Sequence, residues 1–162
     1  MSTTEFDLRK NVQTCMDRLD ILDLFARYCH AVDLCDWKLL RTVFADDIQA
    51  DYTTVAQYTP NHSPKLNGIE ELVHYFETVT PHIGPGLTHF MTNHLIELNG
   101  DTATIVVHNH VLNLAQGGVY HTHARRTAKG WRLDKLVFEN RFFADVSKKM
   151  NSHMTKIDGR SV

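Results

Sequence analysis

The chain has 162 residues, of which 22% are charged, and a formal net charge of −2. That length suits one domain around one core, and the balanced charge, with no basic block, leaves no footprint for nucleic acid or an anionic membrane surface. No run reaches the roughly 18 apolar residues of a membrane span, and Met1 to Lys10 lack the apolar stretch of a signal peptide, so the expectation is a cytoplasmic protein whose partner is a small molecule.

In chain order, Leu8 to Asp33 reads as a helix, with a break expected near Thr14. Leu19, Leu22, Phe25, Ala26, Cys29 and Val32 recur at three- and four-residue spacing, the stripe of a helix facing a core. Asp33 falls on that stripe at the helix end, where a carboxylate is doubly unfavourable: burial demands a partner, and the helix C-terminus repels an anion by about 0.3–1 kcal/mol. An Asp there either makes a structural hydrogen bond or serves as a catalytic carboxylate beside a cavity. Asp36 is placed to cap a short second helix through Trp37, Leu39, Leu40, Val43 and Phe44, ended by Asp46-Asp47. Ile48 to Val55 reads as a strand with Ile48, Ala50 and Tyr52 on one face. Gln57 to Gly68, with Pro60 and Pro64, reads as a loop beside a pocket.

Ile69, Leu72, Val73, Phe76 and Val79 give a third helix ended by Pro81, and Gly84-Pro85-Gly86 forces a loop. Leu87 to Leu98, Thr102 to Leu114, Val119 to Thr127 and Trp131 to Val146 then read as strands, turned at Asn99-Gly100-Asp101, Gly117-Gly118 and Lys129-Gly130. Helices followed by an antiparallel meander make an α+β domain, its helices on one face of a curved sheet. The domain is expected to span 1–146, with a polar tail over 147–162.

Eleven histidines form the unusual count. His108-x-His110 and His121-x-His123 each set two imidazoles on one strand face, a geometry that suits zinc, yet no glutamate follows at close spacing to complete a site, and no metal is expected. Cys15, Cys29 and Cys35 form no Cys-x-x-Cys, so neither a disulfide framework nor a thiolate zinc site is indicated. His62 is assigned no site role, and Arg125 and Arg126 read as solvated strand charges. On the strand after Gly86, His89, Met91, Asn93 and Leu95 share a face, and Asn93 either orients a substrate or satisfies a carbonyl. On the next, either His108 and His110 or Asn109 and Asn113 reach a pocket; His110 is the preferred candidate. Tyr28 lies about 140° from Asp33 around the helix, off the main stripe, and reads as packing.

The ordered set Arg27-Tyr28-x-x-x-x-Asp33-x-x-Asp36-Trp37, Ala50-Asp51-Tyr52, Thr88-His89-x-x-x-Asn93, Asn99-Gly100-Asp101-x-Ala103 and Gly130-Trp131-Arg132 resembles the SnoaL-like branch of the nuclear-transport-factor-like cone fold, over roughly Leu19 to Phe143. That resemblance implies a cone-shaped α+β barrel with an apolar pocket, no cofactor, and a homodimer or homotrimer. The match is closest in motif to its scytalone and bile-acid dehydratases. By likeness to the dehydratases, Asp33 and His89 take the positions of a catalytic pair, and Tyr52 that of a tyrosine acting on a substrate carbonyl through water. Tyr28 stands where the bile-acid enzyme has a functional tyrosine, and Val32 where scytalone dehydratase has a second one. Val32, Phe90 and Leu112 join Tyr28 and Asn93 as candidate substrate contacts, and His110 joins the catalytic set.

The chemistry this implies is proton abstraction next to a carbonyl: a neutral imidazole as base, a carboxylate on its other nitrogen, and a donor for the developing oxyanion. The reading is a dehydratase of a small cyclic or polyketide-like hydroxy-carbonyl compound. An isomerase or cyclase of the same fold, or a non-catalytic binding or assembly module, is the alternative.

Overall fold

The computed structural model describes residues 3–83, 86–112 and 116–143. Its elements are α1 (Thr3–Asp33), α2 (Trp37–Leu40), β1 (Phe44–Asp51), a 3-10 helix (Thr53–Tyr58), β2 (Lys65–Asn67), α3 (Ile69–Ile83), β3 (His89–Asn99), β4 (Thr102–Val111), β5 (Gln116–Thr127) and β6 (Gly130–Phe143). The strands form one open sheet in the order β2-β1-β6-β5-β4-β3. Every neighbouring pair is antiparallel except β1 with β6. α1 lies against β3 and β6, and α3 against β1. The tail expected from Ser147 falls outside the described residues.

α1 runs unbroken through Thr14, whose hydroxyl donates to Lys10 O at 2.9 Å and so leaves the helical ladder intact. Its buried stripe is not the expected one. Asp17, Ile21, Leu24, Tyr28 and Ala31 are buried, with Phe25 and Val32 beside them, whereas Leu19 is 59% exposed and Leu22 also faces solvent. Both stripes obey helical spacing, and burial at roughly 1.5–3 kcal/mol per large side chain hardly separates two stripes of similar size. The polar anchor separates them. Asp17, only 6% exposed, accepts hydrogen bonds from Gln13 Nε2 (2.9 Å) and Trp131 Nε1 (3.1 Å) and pairs with Arg126 at 2.7 Å. Burial opposes the charge on Asp17, but the bonds from Arg126, Gln13 and Trp131 outweigh it and hold the carboxyl below its usual range. Arg126 also bonds Asp101 at 2.9 Å and lies 4.7 Å over the Trp131 ring, so it is a tether between helix and sheet rather than a solvated charge. Arg125 likewise pairs with Asp47 and Asp134.

α1 stops at a Schellman motif: Asp36 N–H bonds Ala31 O (2.8 Å) and Cys35 N–H bonds Val32 O (3.3 Å), with Cys35 at φ +55°. Asp36 then caps α2, its Oδ1 accepting from Leu39 N–H at 2.9 Å. α2 ends at Leu40 rather than continuing to Phe44, because Val43 O accepts from Leu133 N–H and the chain joins β6 from Phe44 onward. Sheet pairing overrides helical spacing here. Part of the expected loop, Lys65–Asn67, pairs with β1 as β2, and α3 passes Pro81 to end at Ile83.

Two further departures concern the sheet. Gly117 and Gly118 are not a turn; they lie in β5, opposite His110 and Asn109. A Cβ on Gly117 would sit 2.2 Å from the Phe142 ring, and one on Gly118 would sit 2.3 Å from Glu139 O, so both glycines serve close approach of β5 to β6. In β3 the register shifts between Thr92 and Leu95, with Asn93 at φ +56°. This bulge reverses the alternation, so that Ile96 is buried while Leu95 is exposed, the opposite of the expected face.

Because Cys35 occupies a left-handed position that glycine adopts freely, Cys35→Gly should raise stability by about 1 kcal/mol in urea unfolding. Gly118→Ala should lower it by about 1–3 kcal/mol in the same measurement, since the obstructing atom is backbone.

Candidate functional site

The last residue of α1 meets the first residue of β3. Asp33 Oδ2 accepts the His89 backbone N–H at 3.0 Å, and Asp33 Oδ1 lies 2.5 Å from His89 Nδ1. The two side chains are 17% and 10% exposed. A carboxylate on Nδ1 fixes the proton there and leaves the lone pair on Nε2. Nε2 has no hydrogen-bond partner among the described residues. The pair thus has the orientation of an imidazole base with its carboxylate, while the same carboxylate fastens the start of the strand.

His89 lines a cavity of about 510 Å³, a size typical of small-molecule sites. Aromatic side chains dominate its wall: Tyr28, Tyr52, Tyr75, Phe76, Tyr120 and Phe138. No Lys, Arg, Asp or Glu lines it among the described residues. Tyr28 and Tyr120 hydroxyls are bonded at 3.1 Å. The Tyr52 hydroxyl is buried without a direct partner, as is Asn109 Oδ1. Burial pushes the Tyr28, Tyr52 and Tyr120 phenols well up, and Tyr75 up as well, with the neighbouring hydroxyls as lesser influences. All four stay neutral donors in ordinary buffers. Cys29, one turn before Asp33, is pushed up to about 12 by burial and then by the Asp33 charge, so it is a thiol and not a nucleophile.

Of the residues expected at the site, the structure gathers Asp33, His89, Tyr52, Tyr28 and Val32. Tyr28, expected off the main stripe, is buried in the wall because the buried stripe is the one that contains it. Four others lie elsewhere. His110 is exposed, pairs in register with Phe90 and rests against Phe142, because the inward parity of β4 is Ala103, Ile105, Val107, Asn109 and Val111. Phe90 is 49% exposed on that outer face, and Leu112, 69% exposed, lies just past the end of β4. Asn93 sits in the bulge, exposed, 3.4 Å from His108 Nδ1. Asn113 lies outside the described residues. Of the other paired histidines, His121 meets Glu139 and His123 meets Asp134, and no group of three metal-ligating side chains occurs among the described residues.

Asn109, the alternative to His110, takes the inward place. The strand reading missed Tyr120 and the loop reading missed His62, both of which line the cavity. The alternation Gly118, Tyr120, Thr122, Ala124, all buried, was the signal for Tyr120; nothing local marks His62.

The sequence profile of the SnoaL-like domain family matches residues 13–137. No curated protein matches the chain. Among solved structures, an NTF2-like protein with a cystatin-like fold from Novosphingobium aromaticivorans superposes with a TM-score of 0.73 at 19% identity, covering 90% of this chain and 95% of its own. The Kfla4162 protein of Kribbella flavida gives 0.69 at 24% identity, over 83% and 97%. Hexachlorocyclohexane dehydrochlorinase LinA-type3 of Novosphingobium barchaimii gives 0.67 at 17% identity, over 83% and 92%. These likenesses establish the α+β cone expected from the sequence.

The buried phenols make stability pH-dependent on the alkaline side. Each has a folded pKa above its ordinary value of 10.0, so its contribution is complete below pH 10 and is lost as the pH rises beyond it. Phenolate absorbance from the buried tyrosines should therefore appear together with the loss of far-ultraviolet dichroism in an alkaline titration, and not before it.

Proposed function

This chain belongs to the SnoaL-like domain family, and on that premise we propose that it is a cofactor-independent lyase that dehydrates a small, uncharged cyclic or polyketide-like hydroxy-carbonyl compound. One observation carries the reading: an imidazole whose Nδ1 is held by a carboxylate stands with its other nitrogen unpartnered among the described residues, in the wall of an aromatic cavity that no Lys, Arg, Asp or Glu among them lines. The elimination of hydrogen chloride implied by the name of the dehydrochlorinase neighbour is of the same chemical type.

In this reading His89 Nε2 removes the proton from the carbon next to the carbonyl. Asp33 holds the ring orientation and offsets the imidazolium charge as it forms. The enolate oxygen takes a hydrogen bond from the Tyr52 hydroxyl, whose neighbours Tyr28 and Tyr120 keep the cluster polar within an apolar wall. As the enolate collapses back to the carbonyl, the carbon-carbon double bond forms and the carbon-oxygen bond to the hydroxyl breaks; the His89 Nε2–H gives the abstracted proton to the departing oxygen, so that water leaves and the neutral imidazole is restored. Asn109, on the inward face of β4, is the polar contact for the departing hydroxyl that His110 and Asn93 are too far outside the cavity to make.

Loss of a general base lowers rates by about 10²–10⁴. Asp33→Asn and His89→Ala should each reduce turnover of a cyclic hydroxy-ketone panel by that factor, followed by mass spectrometry in deuterated water. Release of water identifies dehydration, and deuterium uptake without it identifies an isomerase. A loss below threefold in both variants would exclude the pair from catalysis.

A further inference from the structure

The cavity holds a second imidazole that the proton-abstraction chemistry leaves unused. His62 lies between the 3-10 helix and β2 and lines the same cavity as His89. Its Nδ1 is shut off from solvent and has no hydrogen-bond partner. The segment that carries it is fixed rather than open: His62 N–H bonds Thr59 O at 3.0 Å, Tyr52 N–H bonds Pro64 O at 2.7 Å, and Pro60 and Pro64 restrict the backbone on either side. The ring stands edge-on to Tyr75, with centroids 5.9 Å apart.

The two histidines are joined through a cluster of aromatic rings in mutual contact. From His89 the centroid steps are 6.2 Å to Tyr28, 5.9 Å to Tyr120, 6.5 Å to Tyr52, 5.3 Å to Tyr75 and 5.9 Å to His62. Tyr52 and Tyr75 are stacked nearly parallel, 13° apart, so the tyrosine that touches His62 is also packed on the one that carries the proposed carbonyl-binding hydroxyl. His89 and His62 are not in ring contact with each other; Tyr28, Phe76 and Tyr75 intervene, with Tyr28 and Tyr75 6.0 Å and 5.5 Å from Phe76, so a ring compound held against His89 meets His62 at a different place on the wall. A buried polar atom in such a wall is completed by an oxygen of the bound molecule.

We propose that His62 is a specificity-determining residue that hydrogen-bonds a second oxygen substituent of the substrate, at the end of the ring system remote from the carbon placed against His89. The substrate class is then narrowed to flat, uncharged ring compounds with hydroxyl or carbonyl groups at both ends. This rests on the reading above that the cavity takes an uncharged ring compound, but it concerns recognition and not the proton transfer.

The test is calorimetric binding of 2-naphthol and naphthalene-2,6-diol to the full chain. One additional neutral hydrogen bond strengthens binding by up to about tenfold. The diol should bind wild-type protein about tenfold more tightly than 2-naphthol, His62→Phe should remove that advantage while leaving 2-naphthol unchanged, and His62→Gln, which retains hydrogen-bonding groups, should keep part of it. Asp33→Asn should leave the advantage intact, which separates this inference from the catalytic one: lost turnover with an unchanged diol preference supports both, and unchanged turnover with the preference removed by His62→Phe supports this one alone. An advantage that survives His62→Phe, a diol no tighter than 2-naphthol, or no binding of the diol to wild-type protein would overturn it.

Discussion

Asp33 accepts two N–H groups from a single residue, and the site depends on that. A carboxylate at the end of a helix, largely withdrawn from water, faces an unfavourable dipole and a desolvation penalty. The His89 backbone N–H and ring N–H offset both, at 3.0 Å and 2.5 Å. The consequence is that the feature which fastens β3 to α1 is the same feature that selects the imidazole tautomer. Structural and chemical roles for this aspartate are therefore not rivals. The Schellman motif immediately after it, closed by Cys35 and Asp36, fixes where the helix stops and so where the carboxylate stands.

Much of this was readable from residues alone, and the reasons for what was not are physical. The Asn99-Gly100-Asp101 and Lys129-Gly130 turns and the Asp36 cap were located, because those signals act within a few residues, whereas the 3-10 helix and β2 carried no such signal. The face of α1 was not readable, since two stripes share helical spacing and the choice falls to Asp17 meeting Arg126 and Trp131, more than a hundred residues away. Strand parity failed at Asn93 for a similar reason: one bulge residue reverses the faces, and no spacing rule marks it. The Gly117-Gly118 pair has the composition of a turn, but close approach of Phe142 and the Glu139 backbone is what requires it. Of the site, Asp33, His89 and Tyr52 were found through a resemblance that orders them. Tyr120 and His62 come from a strand and a loop outside those motifs, and only the folded chain sets them beside the others.

The electrostatics of the cavity follow from what is missing among its described lining residues as much as from what is present. Without lysine or arginine in the wall, a carboxylate or phosphate entering it would lose its hydration with no opposite charge to replace it. The tyrosine hydroxyls, held neutral by burial, present donors without charge. Such a wall discriminates by shape and by the placement of a few hydrogen bonds.

The same distribution of residues has an optical consequence. The chain contains five tyrosines, and all five, Tyr28, Tyr52, Tyr58, Tyr75 and Tyr120, line the cavity, whereas neither Trp37 nor Trp131 does. Tyrosine absorbance and near-ultraviolet dichroism are therefore properties of the cavity wall alone, with no contribution from phenols elsewhere. Occupancy of the cavity is written directly into the intrinsic spectrum of the protein, and the two tryptophans, set apart from it, supply an internal reference.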